Sequence, residues 1–281
     1  MKNILVATDF SIRANNALSL AKVIAAKTQG LITLLHVVEL PGRSHTSTED
    51  LLNADQMTDV YVLKLIERAE EELKAIKEAN SEESLQINVE IRRGEPFKQI
   101  RTYVASHDID LVIAGDKGHS EFEDIFIGSL SDKLVRTMDC PVITVKAAIA
   151  DRPLQNILYA VNGEHDEEPV MLYLQALNEY FDAKIHLVWI NTPYDFRDDS
   201  DTKPWLYSLA HQYFSTNYAV SVYNHHDKDF GVVYCADEVK ADMIVLGVSK
   251  RSVVQRFITG DSLAEDVSDH TIRPVLTLKL K

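Results

Sequence analysis

The sequence lacks the features of a membrane or secreted protein. No apolar run approaches the roughly 18 residues that a membrane-spanning helix needs, and the apolar stretch after Met1 is too short for the core of a signal peptide. The two cysteines, Cys140 and Cys235, are too few for a disulfide framework, so we expect packed, reduced thiols. These absences predict a cytoplasmic protein with no membrane partner.

Basic residues are also scarce, since Lys and Arg number 29 against 43 Asp and Glu, and the formal net charge is -14. Such a chain repels a phosphate backbone, which argues against nucleic acid as a partner. A single nucleotide is compatible with this charge, because a local loop of backbone N–H groups can outweigh a distant field. The motifs Gly-x4-Gly-Lys-Ser/Thr and Gly-x-Gly-x2-Gly are absent, and no nucleophile–base pair is evident from spacing, so no catalytic residue is predicted.

The chain contains an internal repeat. Three segments recur in the same order; they are residues 3–9 against 156–162, 110–115 against 242–247, and 141–146 against 274–279. We interpret the chain as a duplication with domains over residues 1–147 and 154–281, called here the first and second halves. The two members of the second pair, and those of the third, are separated by fewer residues than the two members of the first pair. This difference predicts that the second half has lost a stretch of chain opposite residues 40–85.

Each half alternates apolar strands with amphipathic helices. The strands predicted for the first half are residues 3–8, 31–38, 87–92, 109–114 and 141–146. Ser11 is expected to cap the first helix and Gly30 to end it. Continuous apolar strands joined by helices predict an α/β fold, with an open, parallel, doubly wound sheet in each half.

The sharpest local pattern is Gly-Asp-Lys-Gly at residues 115–118, followed after nine residues by Gly128-Ser129. It begins where the fourth strand ends, and Gly128-Ser129 opens the next helix. Glycine lets a backbone approach a ligand without a Cβ in the way, and a helix N-terminus offers unpaired N–H donors to an anion. Because Asp9 ends the first strand at the same edge of the sheet, we expect a ligand crevice there. The alternative, that these glycines only turn the chain, is disfavoured by the full spacing.

At these residues the chain resembles the universal stress protein family, twice and over nearly its whole length. The family signature, Gly-x2-Gly-x9-Gly-Ser/Thr, is matched by Gly115, Gly118, Gly128 and Ser129. Residues 6–11, 35–38 and 94–96 are also similar to family segments. The resemblance implies two tandem five-stranded sheets of order 3-2-1-4-5, Rossmann-like and of the adenine nucleotide alpha hydrolase-like type.

The resemblance implies ATP as the ligand of the first half, and leaves open whether Mg²⁺ accompanies it. Asp9 and a backbone position at Val37 would contact the adenosine. The three signature glycines and Ser129 would hold the ribose and phosphates, and Leu130 would offer a further amide at the start of the helix.

The second half departs from this signature. Lys250 stands at the position of the second glycine, Gly260 is followed by Asp261 in place of Ser or Thr, and Asn162 replaces Asp9. A carboxylate at Asp261 would face the phosphates, at a cost of ~1–3 kcal/mol or more. We therefore expect the second half to bind no ATP.

Two polar stretches invite a metal-site interpretation, residues 163–168 and residues 225–227. Adjacent histidines on a strand rarely share one ion, and no third ligand has a defined spacing. Solvated polar loops are therefore the favoured interpretation. Trp189, Trp205 and Tyr207 are expected to pack in the core, with the lining of a pocket as the alternative.

Three functions follow as hypotheses. The first is a stress-response regulator, in which ATP bound to the first half changes the docking of an unknown protein partner. The second is a slow ATPase or phosphotransfer enzyme that uses the same pocket, and the third is a nucleotide-free scaffold. Because the resemblance also implies pairing through last strands, residues 141–146 and 274–279 are expected to pair within one chain, as a pseudo-dimer, or between two chains, as a homodimer.

Overall fold

Two matching sets of strands and helices follow one another along the chain. The computed structural model describes residues 1–39, 48–80, 85–116, 130–148, 154–163, 166–249 and 263–280, with the side chains of residues 48–59 excepted. The strands of the first half are β1 (Asn3–Thr8), β2 (Leu31–Val38), β3 (Gln86–Arg93), β4 (Leu111–Gly115) and β5 (Val142–Val145). Its helices are α1 (Ile12–Thr28), α2 (Thr48–Ala79), α3 (Pro96–Ser106) and α4 (Leu130–Thr137).

The second half repeats this alternation. Its strands are β6 (Asn156–Ala160), β7 (Lys184–Asn191), β8 (Tyr218–Asn224), β9 (Met243–Ser249) and β10 (Val275–Leu280). Its helices are α5 (Glu168–Phe181), α6 (Asp199–Tyr213), α7 (Lys228–Glu238) and α8 (Leu263–His270). The predicted domain limits at residues 147 and 154 lie on either side of residues 149–153, which are outside the described residues, so these limits stay a prediction.

All ten strands form one sheet, in the order β3-β2-β1-β4-β5-β10-β9-β6-β7-β8. Every neighbouring pair within a half is parallel. The predicted order 3-2-1-4-5 is therefore confirmed in each half. Between the halves, β5 and β10 pair antiparallel, with Val275 opposite Thr144 and Thr277 opposite Val142. The predicted pairing of last strands within one chain is thus confirmed, and it covers two edges that would otherwise be open.

Side chains reinforce this junction between the halves. The Thr277 hydroxyl donates to the carbonyl oxygen of Val142 at 3.2 Å. On one face of the sheet, the Arg136 guanidinium of α4 donates to both carboxylate oxygens of Glu265 in α8, at 2.5 and 2.6 Å. A bidentate geometry of this kind holds two planar groups in one orientation, so it fixes α4 against α8.

The ends of the helices follow local rules. The Ser11 hydroxyl accepts the N–H of Ala14 at 3.2 Å, which confirms the predicted cap of α1. The predicted end of that helix is corrected by one residue, because Gln29, with φ of 52°, takes the left-handed position ahead of Gly30. Asp182, at the equivalent position of the repeat, ends α5 with the same φ of 52°. The duplication therefore extends to backbone conformation.

The predicted loss in the second half lies between its second and third strands. Residues 39–85 join β2 to β3, whereas the shorter stretch of residues 192–217 joins β7 to β8. Most of the difference is helix, since α2 has 32 residues and α6 has 15. Among the described residues, only the first half therefore carries a long helix between its second and third strands.

Helices cover both faces of the sheet, as continuous apolar strands require. One buried cluster lies beneath α1, α2, α5 and α6, and the other beneath α3, α4, α7 and α8. Both clusters draw residues from the two halves, so the core crosses the junction. Within the described ranges, none of the helices combines the length and the apolar character that crossing a membrane requires.

Candidate functional site

A cleft of about 720 Å³ lies between α2 and the carboxyl ends of β1 and β2. Residues 9–10 and 36–39 form its wall on the strand side, and one face of α2 from Tyr61 to Glu72 forms the other. Successive strands are added on one side of β1 as far as β3, and the chain then crosses to place β4 on the other side of β1. Ligands of open α/β sheets bind in the crevice beside such a reversal of strand order. The volume is also in the range of small-molecule sites, about 300–1,000 Å³.

The turn after β1 places Asp9 at the mouth of this cleft. Phe10 has φ of 66°, a left-handed conformation that side chains rarely adopt, and its N–H donates to the Thr8 hydroxyl at 3.1 Å. One Asp9 carboxylate oxygen accepts the N–H of Ser11 at 3.0 Å. The carboxylate is thereby held at the start of α1, exposed to solvent.

Phe10 and His36 pack against each other in the strand-side wall of the cleft. Their rings lie 4.4 Å apart, centroid to centroid. Nδ1 of His36 donates to the Thr8 carbonyl oxygen at 2.9 Å, which ties the end of β2 to the end of β1. The β1–β2 register stops at this Thr8–His36 pair, so Val37 lies one residue beyond β1 and borders the cleft. Val37 and Asp9, which were predicted from the sequence, are therefore brought together.

The charges in the cleft are mostly negative. Asp9, Glu39 and Glu72 contribute carboxylates, and Arg68 contributes a guanidinium. Carboxylates accept hydrogen bonds from hydroxyl groups and attract cations, whereas they repel bare phosphate. This part of the cleft therefore suits a sugar or another hydroxyl-rich group. Glu39, Arg68 and Glu72 were missed by sequence reasoning; the amphipathic period of α2 was the one signal that could have indicated the last two.

Gly115 ends β4 for a reason that involves no ligand. A Cβ at this position would lie 2.7 Å from the carbonyl carbon of Arg13 and 2.8 Å from the amide nitrogen of Ala14. Glycine therefore allows β4 to pack directly against the first turn of α1. This packing brings the end of β4 to the edge at which Asp9 lies.

The other predicted site residues are only partly covered by the structure. Leu130 is half-buried and is the first described residue of α4, so its predicted role at the helix start stays a prediction. Gly118, Gly128 and Ser129 lie outside the described residues, so their roles stay predictions. The second-half departures at Lys250, Gly260 and Asp261 lie outside them as well.

The corresponding place in the second half is filled by protein side chains. The repeat alignment that matches residues 3–9 with 156–162 puts Trp189 at the position of His36 and Gly163 at that of Phe10. Gly163 keeps the left-handed turn, with φ of 72°. A Cβ at Gly163 would lie 2.7 Å from the Trp189 ring, so glycine makes room for the indole. Trp189 is 1% exposed, and the space is part of the core.

Arg197 and Trp205 complete this filling. The guanidinium of Arg197 lies over the Trp189 ring at 3.8 Å from its centroid, a favourable cation–π distance. Trp205 packs edge-on against Trp189 at 6.0 Å. The Trp189 indole N–H donates to the Asn191 side chain at 2.9 Å, which satisfies its one polar atom. What remains beside them is a cleft of about 270 Å³.

A buried carboxylate, Glu167, binds the backbone after β6. One of its oxygens accepts the N–H groups of Asn162 and Gly163, at 3.1 and 2.7 Å. Its other oxygen accepts the hydroxyl of Tyr159, and burial, with Glu167 beside it, holds the pKa of that phenol well above its usual value. Glu167 is 7% exposed, so the prediction of a solvated loop over residues 163–168 is wrong at this residue. An internal anion thus occupies the turn that precedes α5.

The remaining sequence hypotheses for this half have mixed outcomes. Core packing is confirmed for Trp189, and Trp205 is half-buried against the core, but Tyr207 is 46% exposed and the prediction for it is wrong. Across the described part of the chain, no group of three or more His, Cys, Asp and Glu side chains is arranged to hold a metal ion. His226 and Asp227 instead contact each other at 3.1 Å on the surface.

The comparison with known families decides the classification. The model of the universal stress protein family matches residues 1–146. The chain belongs to the universal stress protein family. Among related sequences, the universal stress protein YxiE of Bacillus subtilis is 26% identical over 147 residues, which cover 50% of this chain and 97% of that protein.

Two further relatives extend the comparison. A universal stress protein of Methanocaldococcus jannaschii is 30% identical over 82 residues, which cover 29% of this chain and 48% of that protein. The chain therefore spans about half the length of this second relative. The crystal structure of a universal stress protein from Archaeoglobus fulgidus aligns with a TM-score of 0.78 at 19% identity, over 99% of this chain and 96% of that one. That likeness shows the same fold over both halves.

Proposed function

We propose that the first half binds one ATP in the cleft between α2 and the ends of β1 and β2, and that the second half binds none. The observation that carries this proposal is the contrast between two equivalent strand edges. One is an open cleft of about 720 Å³, and the other is filled by Trp189 and Glu167. The proposed site lies within the predicted domain of residues 1–147, and that of residues 154–281 supplies structure.

Different residues of the first half would hold the adenosine and the phosphates of ATP. The cleft beside Asp9 and Val37 would hold the adenosine, because carboxylates accept hydrogen bonds from ribose hydroxyls. The phosphates would lie toward the signature residues Gly115, Gly118, Gly128, Ser129 and Leu130. Amides at the start of α4 would donate to them, and the helix dipole favours an anion there. Mg²⁺ would offset the repulsion between the phosphates and the cleft carboxylates.

We further propose that the protein is a nucleotide-responsive binding module of the stress response. In this role, ATP changes the affinity for a protein partner, by an amount equal to its differential binding to two conformations of the chain. A slow ATPase is the alternative. Turnover above buffer hydrolysis that is lost in Asp9→Asn would support that alternative.

The test is calorimetric titration of the nucleotide-free full chain with ATP and Mg²⁺. The expected result is one site per chain. Gly118→Lys and Ser129→Asp copy the residues of the second half and should abolish binding, whereas the reverse change Lys250→Gly should leave the stoichiometry at one. No binding by the wild type, or two equal sites, would overturn the proposal.

A further inference from the structure

A buried polar cluster joins the two halves beside the end of β4. Asp116, which follows β4, is 4% exposed, and Ser131, in the first turn of α4, is 2% exposed. The Ser131 hydroxyl donates to one carboxylate oxygen of Asp116 at 2.7 Å. The hydroxyl of Ser268, in α8, donates to the other at 2.9 Å. Each oxygen of this carboxylate therefore accepts a hydroxyl, one from each half of the chain.

Lys146 supplies a positive charge to this cluster. Its ammonium group lies 3.8 Å from Asp116 and 3.6 Å from Asp269, and it donates to the carbonyl oxygen of Ser268. The hydroxyls of Thr144 and Ser268 are 3.3 Å apart. A buried carboxylate is costly unless it is paired and hydrogen-bonded, and these groups meet that requirement.

The position of the cluster along the chain points to its role. Asp116 and Ser131 lie immediately on either side of residues 117–130, which contain the second and third signature glycines, Ser129 and Leu130. Their hydrogen bond joins the two ends of that segment. Holding the ends of a segment together removes conformations that the segment would otherwise lose on binding a ligand.

The repeat-equivalent positions on the other side of the junction show that packing at such positions does not require polar residues. The repeat alignment puts Val248 opposite Asp116, Ala264 opposite Ser131, and Val135 opposite Ser268. All three of these side chains are apolar and buried. At these three positions the junction is thus polar beside the half with the intact signature and apolar beside the half whose signature has changed.

We propose that Ser268 is a positioning residue, through which the second half holds the ends of the first half's glycine-rich segment in place for the nucleotide. The inference rests on the proposed function, since it assigns the second half a part in that same site. Ser268 touches no nucleotide in this proposal. It acts through Asp116, and the second half serves the site without a nucleotide of its own.

The experiment compares three variants of the full chain. Ser268→Ala removes the hydroxyl, Ser268→Thr keeps it, and Thr277→Val is the control, because it removes another buried hydroxyl of the junction that does not contact Asp116. Hydrogen exchange of the backbone amides of residues 117–130 is measured without nucleotide, and the Kd for ATP is measured by calorimetry. Thermal unfolding monitors the overall stability of each variant.

Ser268→Ala should speed exchange within residues 117–130 and raise the Kd for ATP by about tenfold, a usual size for coupling between sites. Ser268→Thr and Thr277→Val should behave as the wild type in both measurements. Unchanged exchange and Kd in Ser268→Ala, with a wild type that binds ATP, would overturn the inference and leave the proposed function standing. A wild type that binds no ATP would overturn the proposed function and the nucleotide role of Ser268, while exchange would still show whether Ser268 anchors the segment.

Discussion

The two halves use the same backbone at the carboxyl edge of the sheet in opposite ways. Phe10 and Gly163 both take a left-handed φ, 66° and 72°, one residue after Asp9 and Asn162 respectively. In the first half, the space beside this turn is a cleft that α2 borders. In the second half, Trp189 is buried in the equivalent space and Glu167 binds the turn. The two equivalent strand edges therefore differ in what lies beside the turn, a cleft in the first half and buried protein side chains in the second.

This difference has a thermodynamic side. A cleft that binds a ligand gains stability only when the ligand is present, by mass action. An edge filled by a tryptophan and a hydrogen-bonded carboxylate is stabilised at all times. On the proposal that only the first half binds ATP, the second half has a permanent contribution to stability where the first half has a ligand-dependent one.

The largest expected effect on stability comes from removing the tryptophan side chain that fills the strand edge of the second half. Trp189→Ala should lower the free energy of unfolding by about 3–5 kcal/mol, because it leaves a cavity where a fully buried indole was. The matched change in the first half, His36→Ala, should cost only about 1 kcal/mol, since His36 is half-buried and loses one hydrogen bond. Urea titration of both variants measures the two values. Equal losses would contradict the description of one edge as core and the other as cleft.

A smaller effect is expected from removing the internal anion. Glu167→Ala should destabilise the protein by about 2–3 kcal/mol, because the Tyr159 hydroxyl and two backbone N–H groups lose their acceptor in a buried place. Glu168→Ala is the control, because Glu168 is the adjacent but exposed carboxylate that begins α5, and it should cost about 0.5 kcal/mol. Urea titration measures the loss of stability in both variants. Equal losses would show that the hydrogen bonds of the Glu167 carboxylate do not stabilise the turn before α5.

The smallest expected difference concerns the two thiols, one in each half. Burial raises the pKa of Cys140 and of Cys235 to about 11, so both are protonated at neutral pH and should react slowly. Cys140 is half-buried and Cys235 is buried, so alkylation of the native protein at pH 8 should modify Cys140 first, as read by mass spectrometry. Faster labelling of Cys235 would contradict the burial seen here.

The same pKa shifts make a prediction about stability at high pH. In the unfolded chain the thiols ionise near pH 9.0, whereas in the folded chain they hold their protons to about pH 11. Their contribution to stability is therefore complete below pH 9.0 and is lost as the pH rises toward 11. Replacing both cysteines with alanine should flatten this part of the curve of stability against pH.

Much of the fold could be predicted because its signals are local. Apolar runs indicated the strands of the first half to within about two residues, and Ser11 indicated the start of α1. Asp9 could be placed at the ligand edge because parallel strands end at the same edge of a sheet, whereas Val37 was indicated by the family resemblance. Glu167 could not be recognised, since it stands in a charged stretch and its contacts with Tyr159 and with the backbone of Asn162 and Gly163 depend on the folded turn.

The amino-acid pattern by itself determined the duplication, the alternation of strands and helices in each half, and the intact and altered signatures, because each depends on residue spacing within short segments. The strand order was implied by the family resemblance. Only the tertiary structure decided which sheet edge is open and how the halves meet. Trp189 fills its site because Gly163, Arg197 and Trp205 converge on it, and Ser268 reaches Asp116 from the far end of the chain. Such contacts depend on long-range packing of buried polar and aromatic groups, which no local spacing encodes.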